Sequence, residues 1–145
     1  MSKAHIFPVK TYYDNDKKKW QKVPSIPKGS NWHTHKASPR ELSHATNIGV
    51  VIPSGVLVID LDTDKGVTRE AVEGALGCPL AWDDALLQHT VSGGQHYGFA
   101  IGDAVCVQGS NLLGVKGFDT RAAGKGWICT GEGYTDETLV GLVEG

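Results

Sequence analysis

The sequence predicts an α+β domain: a mostly antiparallel sheet with two or three helices on one side. Three observations lead there. Short apolar, β-branched runs recur between clusters of Gly, Pro, Asn and Asp, as at 47–53, 56–62, 97–101 and 126–130. Helical composition with capping signals is confined to 38–45, 68–76 and 135–143. A chain of 145 residues is long enough for one hydrophobic core and too short for two.

Taken in order, residues 5–13 (His-Ile-Phe-Pro-Val-Lys-Thr-Tyr-Tyr) form a strand, and Pro8 makes it an edge or delays its start. Asp14-Asn15-Asp16 and the three following lysines form a polar turn, and 24–30 is an irregular loop. Ser38 caps a helix with Pro39 in its first turn and Glu41 closing a capping box, and the helix runs to about Ala45. Strands at 47–53 and 56–62, joined by Pro53-Ser54-Gly55, are expected to pair antiparallel because their connection is so short. A helix over 68–76 stops at Gly77, with Pro79 beyond. The stretch 82–91 begins as a short helix and ends as a strand from Leu87. Gly93-Gly94 is a turn, strands follow at 97–101, 105–107, 115–120 and 126–130, and Thr135 caps a helix over 135–143.

Composition narrows the function classes. Forty per cent apolar and 21% charged residues are ordinary for a globular protein, and no apolar run nears the roughly 20 residues of a membrane span. Residues 1–10 lack the apolar core of a signal peptide, so a cytoplasmic location without membrane association is expected. Cys78, Cys106 and Cys129 are odd in number and scattered, which argues against a disulfide framework and predicts buried free thiols. His33, His35 and His44 have no fourth ligand at suitable spacing, so zinc is not expected. The net charge of −2 is unevenly spread: residues 1–40 carry nine Lys/Arg against two Asp/Glu, and residues 41–145 carry five against fourteen. A basic segment beside an acidic body suits a protein that holds a polyanion while gathering carboxylates around cations, although a solvated lysine-rich loop has the same composition.

Three stretches carry chemistry. The run Val56-Leu57-Val58-Ile59-Asp60-Leu61-Asp62 delivers two carboxylates from the core, on one side of a strand and about 7 Å apart. Two such acids stay ionised readily when a hard cation such as Mg²⁺ or Mn²⁺ lies between them. Ser92-Gly93-Gly94-Gln95-His96 offers backbone amides, a hydroxyl and an imidazole to an anion, although a Gly-Gly turn alone is usually only a hairpin. Residues 117–126, Gly-Phe-Asp-Thr-Arg-Ala-Ala-Gly-Lys-Gly, end a strand on Asp119 and add Arg121 and Lys125 in a glycine-rich loop. A P-loop is excluded because the spacing is wrong and Gly126 stands where Ser or Thr is required.

Together, Asp-x-Asp, Ser-Gly-Gly-x-His and Asp-x-Arg in this order resemble the primase-polymerase branch of the archaeo-eukaryotic primase superfamily, found in phage and plasmid replication proteins. The segments Ile6-Phe7-Pro8-Val9 and Asn47-Ile48-Gly49-Val50 extend the resemblance over most of the chain. It implies one domain over 1–145, with an RRM-like mostly antiparallel catalytic sheet in a core of 47–145 and a small basic N-terminal module in 1–46. It further implies that Asp60, Asp62 and Asp119 are catalytic and hold two divalent cations, Mg²⁺ or Mn²⁺. Ser92, Gly93, His96, Arg121, Lys125 and Lys22 would bind the nucleotide. The partners would be a single-stranded or primed DNA template and an NTP or dNTP, with a helicase domain or subunit in a longer protein. The chain departs from the family pattern at 129–133, where Cys-Thr-Gly-Glu-Gly replaces a Pro-Pro-Ser turn, and it lacks a Cys/His-rich insertion between His96 and Asp119, so no zinc is implied. Two rivals remain: a non-catalytic RRM-like single-stranded nucleic-acid-binding module, and a metal-dependent Asp-x-Asp phosphatase of the haloacid dehalogenase type, which needs Thr where Asp64 stands.

Overall fold

The computed structural model describes residues 5–90, 93–102, 108–123 and 126–136. In chain order these form β1 (Ile6–Asp14), β2 (Lys19–Pro24), α1 (Pro39–His44), β3 (Asn47–Val51), β4 (Val56–Leu61), α2 (Arg69–Leu76), β5 (Leu86–His89), β6 (Gln95–Ala100), β7 (Phe118–Ala122), β8 (Trp127–Gly131) and β9 (Thr135–Asp136). The strands build a four-stranded sheet in the order β2-β1-β3-β8 and a five-stranded sheet in the order β7-β4-β6-β5-β9. Every pairing is antiparallel, so the α+β class holds.

The alternation in β4 divides the core. Val56 and Val58 pack with Val50, Ile52 and Ile128 of the four-stranded sheet, all nearly fully buried. Ile59 and Leu61 point the other way, into a cluster with Val67, Val72, Trp82, Tyr97 and Phe118. Full burial of each such side chain is worth about 1.5–3 kcal/mol, which pins the register of β4 and so the height of Asp60.

The expected hairpin between residues 47–53 and 56–62 is corrected. β3 pairs with β1 and β8, whereas β4 pairs with β6 and β7, so the two strands lie in different sheets. Pro53 brings no amide to a ladder, the Ile52 N–H donates to Gly126 O, and Gly55 at φ +85° turns the chain into the second sheet. Facing each other across the sheets, Val50 and Ile52 on one side and Val56 and Val58 on the other bury more surface than a two-stranded hairpin would.

The helices do not share one side. α1 carries the expected capping box, with Ser38 Oγ accepting from Glu41 N and Glu41 Oε1 from Ser38 N, both at 3.1 Å, and it lies beside β1 with no buried residue. α2, capped by Thr68 and ended by Gly77 at φ +77°, inserts Val72 behind the five-stranded sheet. The strand expected from 115 begins at Phe118, because Asn111 and the 112–114 turn tie the preceding loop down through Asn111 Oδ1, which accepts from Gly117 N at 2.9 Å. Thr135 and Asp136, expected as the start of a helix, are strand residues paired with His89 and Gln88 of β5. The remainder of that expected helix, Cys106 and the expected 105–107 strand lie outside the described residues. Cys78 is exposed and free, against the expectation of burial, and Cys129 is buried. Among the described residues no helix is long and apolar enough to cross a membrane.

Candidate active site

Register builds the site. Asp60 of β4 is paired on one side with Asp119 of β7 and on the other with His96 of β6, and His96 is paired in turn with Gln88 of β5. Directly paired residues of an antiparallel ladder project from the same face with Cα atoms about 4.5–5.5 Å apart. Asp119, Asp60, His96 and Gln88 therefore form one polar row across four strands. Asp60, Asp119, His96, Asp62 and Lys22 line a single cleft of about 110 Å³, together with Thr90, Gly94 and Tyr134. Larger depressions beside α1 and along the 24–32 loop hold one carboxylate between them, Glu41.

The row is ordered by a hydrogen-bond relay that ends on a backbone carbonyl. Gln88, fully buried, donates through Nε2 to Cys129 O at 2.9 Å. A carbonyl oxygen only accepts, so the amide is oriented and Gln88 Oε1 faces His96 Nδ1, 2.8 Å away. Oε1 also only accepts, so Nδ1 donates to it. Nε2 is left facing Asp60 Oδ2 at 3.3 Å, with the His96 side chain 3% exposed and that of Asp60 21%. Arg121 Nη2 lies 3.8 Å from the same oxygen. Burial pushes the Asp60 carboxyl up, but the hydrogen bond and charge of His96, with Arg121 and Lys22 behind them, outweigh it and hold the group below the usual carboxylate range.

Lys22 reaches the cleft from β2 of the other sheet. Its ammonium stands 5.8 Å from the Trp127 ring centroid and 6.0 Å from that of Tyr134. The residue is exposed along its stem, while crowding around the ammonium lowers its pKa against the pull of Cys129 and Asp60. Burial raises the Tyr134 hydroxyl and Cys129 thiol pKa values, so both remain neutral, Tyr134 at the wall of the cleft and Cys129 in the core.

The remaining expected residues divide. Asp62 stands just past the end of β4, its backbone N–H held by Gly117 O at 2.9 Å and its Oδ2 3.6 Å from Lys65 Nζ. Asp119 Oδ1 accepts from Asn111 N at 2.8 Å. Gly94, rather than Gly93, lines the cleft. A Cβ at Gly94 would lie 2.8 Å from Leu61 O, so this position requires glycine. The amides expected to cradle an anion are engaged elsewhere: Gly93 N donates to Thr90 O and Gly94 N to Thr90 Oγ1. Ser92 and Lys125 lie outside the described residues. Sequence reasoning misses Gln88, Thr90, Trp127 and Tyr134, and the signal for Gln88 is a polar side chain in a strand directly paired with His96 on the neighbouring one, readable only once register is known.

Three carboxylates lining one cleft are the donor chemistry of a hard divalent cation. Among the described residues, however, no three His, Cys, Asp or Glu side chains converge as a ready metal cluster. Asp60, Asp62 and Asp119 are turned toward His96 and Arg121, Lys65, and Asn111. The donor set fits such an ion if Asp60 and Asp62 rotate away from their cationic neighbours.

Compared with known families, the chain matches Prim-Pol, described as bifunctional DNA primase/polymerase, N-terminal, over residues 3–137. No curated protein matches it.

Proposed function

The chain belongs to the Prim-Pol family of bifunctional DNA primase/polymerase N-terminal domains, and from that premise we propose that its cleft performs template-directed nucleotidyl transfer from an NTP or dNTP to a 3′ hydroxyl, supported by divalent cations. The observation that carries the reading is the register row Asp119–Asp60–His96, which opens on a cleft faced by Lys22. In this reading Asp60, Asp62 and Asp119 hold Mg²⁺ or Mn²⁺. Cations bound there would lower the pKa of the attacking hydroxyl and offset charge on the triphosphate.

The chain's own residues do the positioning. His96 presents Nε2 to the triphosphate, with its ring fixed by Gln88. Arg121, 3.8 Å from Asp60, and Lys22 bring positive charge to the cleft, and Ser92 and Lys125 would add phosphate contacts. The burial of His96 and Gln88 keeps water from the inner end of the row, which strengthens the charge interactions there. The chain order β-α-β-β-β of β4, α2, β5, β6 and β7 supports an RRM-like reading of the five-stranded sheet. A phage or plasmid replication setting and a helicase partner belong to the same proposal.

The test incubates the protein with primed and unprimed single-stranded templates, labelled nucleotides and Mg²⁺ or Mn²⁺. Extension of the primer identifies a polymerase and new short products identify a primase. Incorporation on neither template, with DNA binding retained, would replace this reading with a non-catalytic single-stranded nucleic-acid module, which the exposed aromatic residues Tyr13 and Trp20 also suit.

A further inference from the structure

The hairpin of β1 and β2 carries large aromatic side chains that the core does not use. Trp20 is 50% exposed and Tyr13 47%. They are directly paired across the hairpin, and their rings meet edge to face with centroids 5.6 Å apart. Alternation places Trp20 on the same face of β2 as Lys22, about 7 Å along the strand. Lys22 is itself paired with Thr11 and reaches the catalytic cleft.

Between the two lies a second depression of about 160 Å³, lined by Thr11, Trp20, Glu132, Gly133 and Tyr134. Tyr134 lines both hollows, so the depression beside Trp20 adjoins the cleft. Lys17 and Lys18 sit at the hairpin tip. Of the nearby acids, Asp14 is engaged by the turn, its Oδ1 accepting from Asp16 N and Lys17 N, while Asp16 and Glu132 face solvent.

We propose that this face is a track for single-stranded DNA leading into the cleft, with bases stacked on Trp20 and Tyr13 and phosphates near Lys17, Lys18 and Lys22. The assignment of DNA as the occupant rests on the nucleotidyl-transfer reading and on two further features, the positive charge of residues 1–40 and continuity with the cleft. Rings with open faces beside lysines are the means by which single strands are held without sequence preference. An apolar protein partner would leave the lysines uncompensated.

The test is fluorescence anisotropy with a labelled oligo(dT), in buffer free of nucleotide and divalent metal, comparing the wild type with Trp20→Ala, Tyr13→Ala and Trp20→Phe. Trp20→Ala is expected to raise Kd about 10-fold and Tyr13→Ala by less, whereas Trp20→Phe keeps a ring and most of the affinity. Wild-type binding should weaken steeply with salt. Equal Kd for the wild type and the Trp20→Ala, Tyr13→Ala double variant would overturn the proposal, as would a Trp20-dependent dimer in sedimentation that excludes DNA. Because this measurement needs no chemistry, Trp20-dependent binding without nucleotide incorporation would remove the catalytic reading and leave the track standing.

Discussion

Asp60 and Asp62 are two residues apart and look equivalent in the sequence, but the fold treats them differently. Asp60 sits inside a ladder, flanked in register by Asp119 and His96, and its carboxylate contacts His96 and Arg121. Asp62 lies beyond the last residue of β4, with its side chain 36% exposed and its Oδ2 3.6 Å from Lys65 Nζ. One half of the site is thus mounted on paired strands, where a shift of position would break buried packing. The other half, Asp62, is mounted on the turn at 62–66, outside the ladder. A site that must release a product gains from that division: the ladder fixes the reacting centre and the turns adjust around it.

Substitutions that separate the two halves test this contrast. Asp60→Ala should have the largest effect, lowering incorporation by about 1,000-fold or more in primer extension, since several kcal/mol of transition-state stabilisation would be lost. Asp62→Ala should lower it by about 100-fold, part of the loss being recovered at high Mn²⁺ because a turn can reposition a neighbouring donor. If Asp62→Ala proved the more damaging, the ladder would not be the fixed centre.

The relay behind His96 extends the ladder inward. Gln88→Leu removes the acceptor for Nδ1 and should raise the nucleotide KM by about 10-fold, the size expected when a group that orients a ligand is lost. Gln88→Glu keeps an acceptor at that place and should restore most of the affinity while losing the bond to Cys129 O. Steady-state kinetics on the three proteins check this. Equal loss in both variants would make Gln88 a packing residue only.

Asp60 also predicts a pH dependence. Its folded pKa lies below that of the unfolded chain, near 3.9, so it contributes stability above about pH 4 that is lost as pH falls through the folded value. Thermal melts of the metal-free protein should therefore show a slope at acidic pH that is shallower in Asp60→Asn. Gly49→Ala should act on stability with the least direct effect on chemistry. A Cβ there would collide with the Phe7 ring, which lies over Gly49 across the β1–β3 ladder, and the cost should be about 1–3 kcal/mol in a denaturant melt.

The same division decides what could be read without coordinates. Capping residues and alternation act locally, so α1, α2 and most strands stood where Ser38, Thr68, Gly77 and the apolar runs put them. Partnership between strands is not local. The short connection at 53–55 suggested a hairpin, because nothing in Pro53-Ser54-Gly55 distinguishes a turn within a sheet from a corner between two. The acids, His96 and Arg121 were visible as residue types. Their alignment depends on β4, β6 and β7 being neighbours, and Gln88 became visible only through that alignment. Lys22 reaches the Trp127 ring although β2 and β8 are the two edges of one sheet with β1 and β3 between them, a contact across a hundred residues of chain.

The most direct measurement is Mn²⁺ binding followed by electron paramagnetic resonance in the presence of nucleotide, for the wild type and for the Asp60→Asn, Asp119→Asn double variant. The ladder account predicts uptake of Mn²⁺ by the wild type and an affinity at least about 100-fold weaker in the double variant, with both proteins folded by circular dichroism. Equal uptake by the two proteins would contradict it.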